Sequence, residues 1–216
     1  MLTFYAIPVS LYCAKLRILL RHKAALWEER LPPGGYGSDA YKEVVPSGNL
    51  PALIDGDLLL GDSEAIAEYL NEKLADPPML PKDPARRAKI RELSRFHDTR
   101  LEPELRKLFA HFSPADRDGA VTGAQSKALT MRLAQLALLL EDNGPTTARD
   151  LSLADCGFAI SFAWISALTP IMGLEITWPA AVQTYWDDIA CFPAIATEIA
   201  DYQPKLDAFL VERTAS

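Results

Sequence analysis

The chain has 216 residues, a formal net charge of -7 and 49% hydrophobic residues, an ordinary globular composition that excludes wholesale disorder. The acidic balance argues against a general nucleic-acid or anionic-membrane binder, because such proteins need a basic face. The three cysteines, Cys13, Cys156 and Cys191, are too few and too scattered for a disulfide framework or a zinc site, so we expect a cytoplasmic protein in a reducing compartment.

The first 76 residues predict strands and helices in alternation. Short β-prone runs lie at Leu2 to Ala6 and at Leu26 to Leu31. Between them, apolar residues at helical spacing predict a helix over Leu11 to Ala24. Residues 32–38 are rich in proline and glycine and predict a loop.

A hairpin and a helix complete this part of the chain. The pair Asp55-Gly56 lies between two apolar runs, which predicts a hairpin over residues 51–60. Ser63 then precedes an amphipathic run and is the predicted helix cap. The predicted order is β-α-β, a connector, then β-β-α.

A proline cluster separates the two halves of the chain. Residues 77–84 hold four prolines, which no helix or strand tolerates, so we interpret them as an inter-domain linker. The linker divides the chain into a small α/β domain over residues 1–76 and an all-helical domain over residues 85–216.

The second half has helical periodicity almost throughout. A long charged helix is predicted over Ala85 to Phe112, with a bend at Pro103. A second is predicted over Ser126 to Asp142, with a stop signal at Asn143-Gly144-Pro145.

Three further helices are predicted after this stop signal. Ser152 to Asp155 resembles a capping box and opens the most hydrophobic helix, which we interpret as a buried helix rather than a membrane span because Ser, Thr, Pro and Gly interrupt it. The last two are predicted over Ala180 to Ala190 and Ala194 to Val211.

Two motifs around the predicted hairpin resemble the glutathione-site signature of the cytosolic glutathione transferases. Residues 45–53 read Val-Pro-Ser-Gly-Asn-Leu-Pro-Ala-Leu and residues 61–70 read Gly-Asp-Ser-Glu-Ala-Ile-Ala-Glu-Tyr-Leu. The family usually has Asn-Pro-x-Gly-x-Val-Pro-Ala-Leu, then Glu/Gln-Ser-x-Ala-Ile-x-x-Tyr-Leu. Asn49, Leu50 and Asp62 are mild departures from this pattern.

The resemblance covers essentially the full chain, because Ser152 to Asp155 also matches the capping motif of the family's helical domain. It implies an α/β thioredoxin-like N-terminal domain plus an all-α C-terminal helical domain. It also implies glutathione as a co-substrate, with no metal and no tightly bound cofactor.

The resemblance further implies which residues bind glutathione. The bond Leu50-Pro51 would be cis, and the backbone of Leu50 would pair with the cysteinyl part of glutathione. Asn49 directly precedes this pair and is included in the predicted glutathione-binding site, as is Ser10. Ser63, where a helix begins, would receive the γ-glutamyl carboxylate, and Asp62 would pair with the γ-glutamyl ammonium group.

The residue that activates the thiol must lie between the first strand and the first helix, where Tyr5, Ser10, Tyr12 and Cys13 are candidates. We predict Ser10 as the catalytic residue, because Ser10-Leu11-Tyr12-Cys13 occupies the place of the Cys-x-x-Cys of thioredoxin-like redox proteins. The spacing from Ser10 to Arg17 is similar to that in serine-type transferases. A helix cap alone remains the alternative for Ser10, Tyr5 is the second candidate for activation, and Cys13 is more typical of a small buried hydrophobe.

The sequence therefore predicts a glutathione transferase that conjugates a small, largely apolar electrophile, with a role in detoxification. Alternatives are a glutathione-dependent isomerase or dehalogenase, or a non-catalytic binding or regulatory protein. The partners predicted are glutathione and the electrophile, with no nucleic acid, no membrane and a homodimer. Candidate acceptor-site residues are His97, Arg100 and Glu104, and Tyr36 is a candidate lid.

Overall fold

The computed structural model describes residues 1–142 and 150–215. The strands are β1 (Leu2–Tyr5), β2 (Trp27–Arg30), β3 (Ala52–Asp55) and β4 (Leu58–Leu60). The α-helices are α1 (Leu11–His22), α2 (Asp39–Val44), α3 (Ser63–Lys73), α4 (Pro84–Phe96), α5 (Glu102–Arg106), α6 (Gly119–Asp142), α7 (Leu153–Met172), α8 (Ala180–Ala190) and α9 (Pro193–Ala215). The stop signal predicted at Asn143-Gly144-Pro145 lies outside the described residues.

The four strands form one mixed sheet in the order β2-β1-β3-β4. Strand β1 is parallel to β2, with α1 as the crossover, and antiparallel to β3. The hairpin predicted at Asp55-Gly56 is confirmed, because β3 and β4 pair in antiparallel register around it. Both parts of the predicted order are present: β-α-β first, and β-β-α after the connector.

Strand alternation divides the sheet into two faces. Phe4 and Leu53 belong to the large core that continues through α1 into the helical part of the chain. Tyr5 and Ala52 face the other way and form a small cluster with Tyr41 of α2. The sheet therefore has α1 and α3 on one face and α2 on the other.

Two local predictions are wrong in instructive ways. The predicted connector contains the short helix α2, whose N-cap is Ser38. The sequence analysis missed this helix because proline and glycine dominate the residues directly before it. The predicted cap of α3 is also displaced by one residue. Asp62 is the N-cap and its Oδ1 accepts from the backbone N–H groups of Glu64 and Ala65, whereas Ser63 is the first helical residue.

The long charged helix is interrupted close to the predicted bend at Pro103. A π-helical turn over His97–Leu101 separates α4 from α5, and a 3-10 turn over Lys107–His111 follows α5. Pro103 has no N–H to donate to the carbonyl four residues earlier, and its ring crowds that carbonyl, so the regular ladder cannot continue there.

Helix α7 is the centre of the helical part. The capping box is confirmed, since the Ser152 backbone N–H donates to Asp155 Oδ2 at 2.8 Å and the Ser152 hydroxyl donates to the same oxygen at 2.7 Å. Among the described residues α7 is the one helix long and apolar enough to cross a membrane, and 72% of its apolar window is buried inside the protein. This is the environment of a core helix, as predicted.

The fold class is confirmed as a thioredoxin-like N-terminal domain with a small mixed sheet followed by a largely helical C-terminal domain. Helix α3 ends at Lys73 and α4 begins at Pro84, so the last proline of the predicted linker lies in a helix. The exact domain boundaries at residues 76 and 84 stay predictions.

A buried histidine fixes the contact between the π-turn and α7. His97 is 1% exposed; its Nδ1 lies 2.7 Å from Asp98 Oδ1 and its Nε2 lies 2.8 Å from Ser161 Oγ. A Cβ added to Gly157 would lie 2.6 Å from two atoms of the His97 ring. Glycine is therefore required at position 157 by the close approach of the ring.

We predict that Gly157→Ala destabilises the protein by about 1–3 kcal/mol, because the added methyl overpacks a site whose ring is held by two hydrogen bonds. The matched control is Gly123→Ala in α6, where an added Cβ meets nothing within 4 Å and where helix propensity favours alanine by up to about 1 kcal/mol. Urea unfolding of both variants measures the difference, and equal stabilities would contradict the packing argument.

Candidate active site

The predicted glutathione-binding segments meet at one edge of the sheet. Ser10 follows the carboxyl end of β1, and Pro51 precedes the amino end of β3. Because Tyr5 pairs with Ala52 in antiparallel register, these two ends are neighbours. Strand β4 returns to the same edge, because Leu60 pairs with Leu53, and α3 begins three residues later. The topology thus brings the three predicted segments together.

Ser10 lies where the β1–α1 loop enters α1. Its backbone is extended (φ -71°, ψ 123°) and its Oγ accepts a hydrogen bond from the Cys13 backbone N–H at 3.3 Å, so it is the N-cap of α1. A serine hydroxyl has one hydrogen to donate and two lone pairs that accept. The cap uses a lone pair, so capping the helix and donating to a thiolate are compatible tasks for Ser10.

Arg17 supports the loop that leads to Ser10. Its guanidinium donates to both carboxylate oxygens of Glu29, at 2.8 and 2.9 Å, and also to the carbonyls of Ile7 and Pro8, at 3.3 and 3.5 Å. The sequence analysis noted only the spacing between Ser10 and Arg17. Arginine is suited to this position because its planar fork donates in several directions at once.

The three other candidates for activation lie in different surroundings. Tyr5 packs edge-on against Tyr41, with ring centroids 5.5 Å apart, on the face of the sheet away from α1. The Tyr12 hydroxyl donates to Glu102 Oε2 at 3.1 Å, and burial followed by the charge of Glu102 raises the pKa of Tyr12. Cys13 is fully buried, and burial raises the pKa of its thiol although the Ser10 hydroxyl acts in the opposite direction.

The segment before β3 has the conformation that the resemblance implied. The Leu50-Pro51 peptide bond is cis, Leu50 is half-buried and Pro51 is buried. The carbonyl of Asn49 accepts a hydrogen bond from the buried hydroxyl of Tyr41 at 2.9 Å, while the Asn49 side chain is exposed. Helix α2, which the sequence analysis missed, therefore holds the backbone next to the predicted cysteinyl contact.

The start of α3 presents one exposed and one buried side chain. Asp62 is exposed, and its Oδ1 accepts from the N–H groups of Glu64 at 3.0 Å and of Ala65 at 2.9 Å. Ser63 is 9% exposed. Both capping bonds use the same carboxylate oxygen, so Asp62 Oδ2 lies outside the cap and can accept from an ammonium group.

On the helical side, an aromatic cluster is linked to Tyr12 of α1 by the guanidinium of Arg106. The guanidinium of Arg106 lies 5.7 Å from the centre of the Tyr12 ring and 5.3 Å from that of Phe109. Phe109 stacks on Trp164 at 4.8 Å, and Trp164 meets Phe209 edge-on at 6.1 Å. Phe109 and Phe209 are half-buried, so the cluster exposes part of its apolar surface.

The structure corrects the candidate acceptor residues. His97 is buried against α7 and is closed to a substrate. Glu104 is engaged by Lys107 Nζ at 2.6 Å and by Arg132 at 3.4 Å. Arg100 lines a separate cleft of about 710 Å³ together with Arg132. Tyr36, the candidate lid, is 62% exposed in the loop before α2.

The cysteine, histidine and carboxylate side chains were also considered as metal ligands. Within residues 1–142 and 150–215, no three of them form a group that could hold a metal ion.

Comparison with known proteins agrees with this geometry. Residues 4–78 match the family model described as "Glutathione S-transferase, N-terminal domain". A delta-class glutathione transferase from Nilaparvata lugens superposes with a TM-score of 0.83 at 20% identity, covering 99% of this chain and 100% of the other. Maleyl pyruvate isomerase, a bacterial zeta-class protein, superposes with a TM-score of 0.74 at 22% identity, covering 91% of this chain and 95% of the other.

The curated relatives include Stringent starvation protein A homologs and glutathione S-transferases. A Stringent starvation protein A homolog from Coxiella burnetii is 28% identical over 85% of this chain and 83% of its own length. A homologue with the same name from Pasteurella multocida is 36% identical, but the match spans only 43% of each chain, less than half of that relative. Glutathione S-transferase Z2 from Arabidopsis thaliana is 38% identical over 39% of this chain and 43% of its own.

We predict that one cysteine of the native protein reacts rapidly with a disulfide reagent such as Ellman's reagent. Cys191 is exposed, whereas Cys13 and Cys156 are buried and burial raises the pKa of both thiols. The thiolate is the reactive form, so the buried pair should react only as the protein unfolds.

The matched variants are Cys191→Ser, which should remove the rapid phase, and Cys13→Ser, which should preserve it. A rapid phase that survives in Cys191→Ser and disappears in Cys13→Ser would show that Cys13 is a reactive thiol.

Proposed function

We propose that the chain is a member of the cytosolic glutathione transferase family and that it joins the glutathione thiolate to a small, largely apolar electrophile. One observation carries the proposal: a serine hydroxyl at a helix N-terminus, a strand start and a second helix N-terminus meet at one edge of the sheet. These are the groups that a thiolate, a peptide backbone and an α-amino acid need.

Activation of the thiol is within reach of Ser10. A free thiol has a pKa near 8.5, so only about 3% is ionised at neutral pH. Lowering the pKa by about two units needs about 2.7 kcal/mol of differential stabilisation. A hydroxyl that donates to the charged sulfur supplies about 1.5–3 kcal/mol and a helix N-terminus about 0.3–1 kcal/mol. Together these two effects suffice.

Binding of glutathione would use mostly backbone groups and charges. The N–H and C=O of Leu50 would pair with the cysteinyl residue, in the manner of an added strand. The N-terminus of α3 would receive the γ-glutamyl carboxylate next to Ser63, and Asp62 Oδ2 would accept from the γ-glutamyl ammonium.

The exposed aromatic surface supports an apolar second substrate. Phe109 and Phe209 offer half-buried rings against Trp164, which reaches the Val9 carbonyl through the Tyr202 hydroxyl. Burying such rings against a ligand is favourable by roughly 25 cal/mol per Å². In the reaction the thiolate sulfur forms a bond to the electrophilic carbon. In a substitution, the leaving group departs with the electron pair of its bond to that carbon. In an addition to a double bond, the neighbouring carbon takes up a proton.

A binding or regulatory protein is the second candidate function. The observation that favours it is the match to Stringent starvation protein A homologs, which in Coxiella burnetii extends over 83% of the relative. An isomerase is favoured by the similarity to Glutathione S-transferase Z2. The sequence departs from the Ser-Ser-Cys run of the zeta-class isomerases, because Ser10 is followed by Leu11 and Tyr12.

We predict that Ser10→Ala lowers kcat/KM with a model electrophile by about 10- to 150-fold, the equivalent of one hydrogen bond to a charged sulfur. Retention on immobilised glutathione should remain, because the other proposed binding groups, at Leu50, Asp62 and Ser63, are unchanged. The pH at which the ultraviolet absorbance of the bound thiolate appears should be higher than in the wild type.

The matched control is Ser166→Ala, which removes an exposed hydroxyl from α7. Unchanged turnover in Ser10→Ala, with a loss in Tyr5→Phe, would transfer the role to Tyr5. A wild-type protein that is not retained on glutathione and shows no thiolate absorbance would support the binding or regulatory function instead.

We also propose that the protein forms a homodimer in the cytoplasm, through α3 and the helices after Pro84. Support comes from exposed apolar side chains in both halves of the chain, on β4 before α3 and on α6 after Pro84. Leu58 and Leu59 on the edge strand β4 are each 37% exposed, and Met131 and Leu138, seven residues apart on α6, are 48% and 65% exposed. An exposed apolar edge strand needs a cover.

We predict that light scattering gives twice the 23.8 kDa chain mass for the wild type and that Leu138→Glu shifts it toward the single chain, because burying an unpaired carboxylate in the interface is unfavourable. Val211→Glu is the comparison: Val211 is 68% exposed on α9, and the mass of this variant should stay that of the wild type if α6, rather than α9, is the helix after Pro84 that forms the interface. A wild-type mass of one chain would refute the dimer.

A further inference from the structure

The loop before Ser10 is held by side chains at each of its three residues. The carbonyls of Ile7 and Pro8 accept from Arg17, as described above, and the carbonyl of Val9 accepts from the hydroxyl of Tyr202 at 2.8 Å. Loop carbonyls commonly bond to water, which leaves a loop mobile. Here they are bonded to buried groups that belong to two different helices.

Tyr202 lies on α9, far from Ser10 in sequence, and is 1% exposed. Its hydroxyl oxygen accepts from Trp164 Nε1 at 2.7 Å. The indole N–H can only donate, so the hydroxyl hydrogen of Tyr202 is directed to the Val9 carbonyl. Trp164 is itself 1% exposed and stacked on Phe109, so the donor that orients Tyr202 is fixed.

Arg17 is fixed from the same helix as well. Glu198, one turn before Tyr202 on α9, is 1% exposed; its Oε1 lies 3.6 Å from Arg17 Nη1 and its Oε2 accepts from Arg21 Nε at 2.9 Å. Helix α9 therefore contacts the loop before Ser10 directly through Tyr202, and indirectly through Glu198, which pairs with Arg17.

We propose that Tyr202 is a positioning residue, which holds the Val9 carbonyl and thereby fixes the direction of the Ser10 hydroxyl. The Val9 carbonyl and the Ser10 nitrogen belong to one planar peptide group, so an anchor on that oxygen limits rotation at the backbone of Ser10. The catalytic consequence rests on the proposed function, whereas the structural consequence does not.

The test is Tyr202→Phe, which keeps the ring and removes the hydroxyl. We expect turnover at mildly acidic pH to fall about tenfold, because a donor displaced by a fraction of an ångström loses much of its effect. The loss should shrink as the pH rises, since the thiol then ionises unaided. The KM for glutathione should stay near the wild-type value.

The matched control is Tyr185→Phe. The Tyr185 hydroxyl is also buried and donates to Asp155 Oδ1 at 2.6 Å, but in α8, away from the loop. This variant should lose a similar amount of stability without a change in the pH profile of turnover.

Hydrogen exchange in the ligand-free protein provides a readout that needs no activity. In Tyr202→Phe, exchange in a peptide covering residues 6–14 should become faster than in Tyr185→Phe. Equal exchange in the two variants, or equal pH profiles, would overturn the positioning role. A wild type without a bound thiolate would refute the proposed transferase, and the exchange experiment would still decide the role of Tyr202.

Discussion

A lysine buried between the two domains constrains the structure more than any other single group. The side chain of Lys15 on α1 is 2% exposed, and its Nζ lies 2.7 Å from Glu64 Oε2 and 2.9 Å from Asp98 Oδ2. Burial alone lowers the pKa of Lys15, but Asp98 and Glu64 together raise it. Removing one partner of such a buried pair costs about 3–5 kcal/mol, so the three elements that carry these charges must meet.

This ion cluster includes residues from both helices that begin at the candidate site, α1 and α3. Glu64 is in the first turn of α3, two residues after Asp62, and Lys15 is five residues after Ser10 on α1. Asp98 lies in the π-turn, beside His97, whose ring reaches Ser161. One ion cluster therefore fixes the relative positions of the starts of α1 and α3, where thiol activation and γ-glutamyl binding are proposed, and it ties both to the helical domain.

The features that the sequence predicted correctly are those that depend on residues close together in the chain. The Asp55-Gly56 hairpin and the Ser152 capping box depend on neighbouring residues, and both are present. Asp62 and Ser63 are equally good caps, and periodicity cannot choose between adjacent residues. The support of Ser10 by Tyr202 left no local signal, because the two residues are far apart in sequence and a tyrosine in a helix is usually part of the core.

The contrast between the names of the relatives and the geometry of the site has a physical basis. The proposed glutathione contacts use the backbone at Leu50 and the N-termini of two helices, and any sequence with this fold presents backbone groups in the same places. The proposed turnover additionally depends on one hydroxyl, that of Ser10, which follows the loop that Arg17 and Tyr202 hold. A chain with this fold can therefore retain binding while its reaction changes, and the anchoring of the Ser10 loop is the feature that supports the proposed chemistry over binding alone.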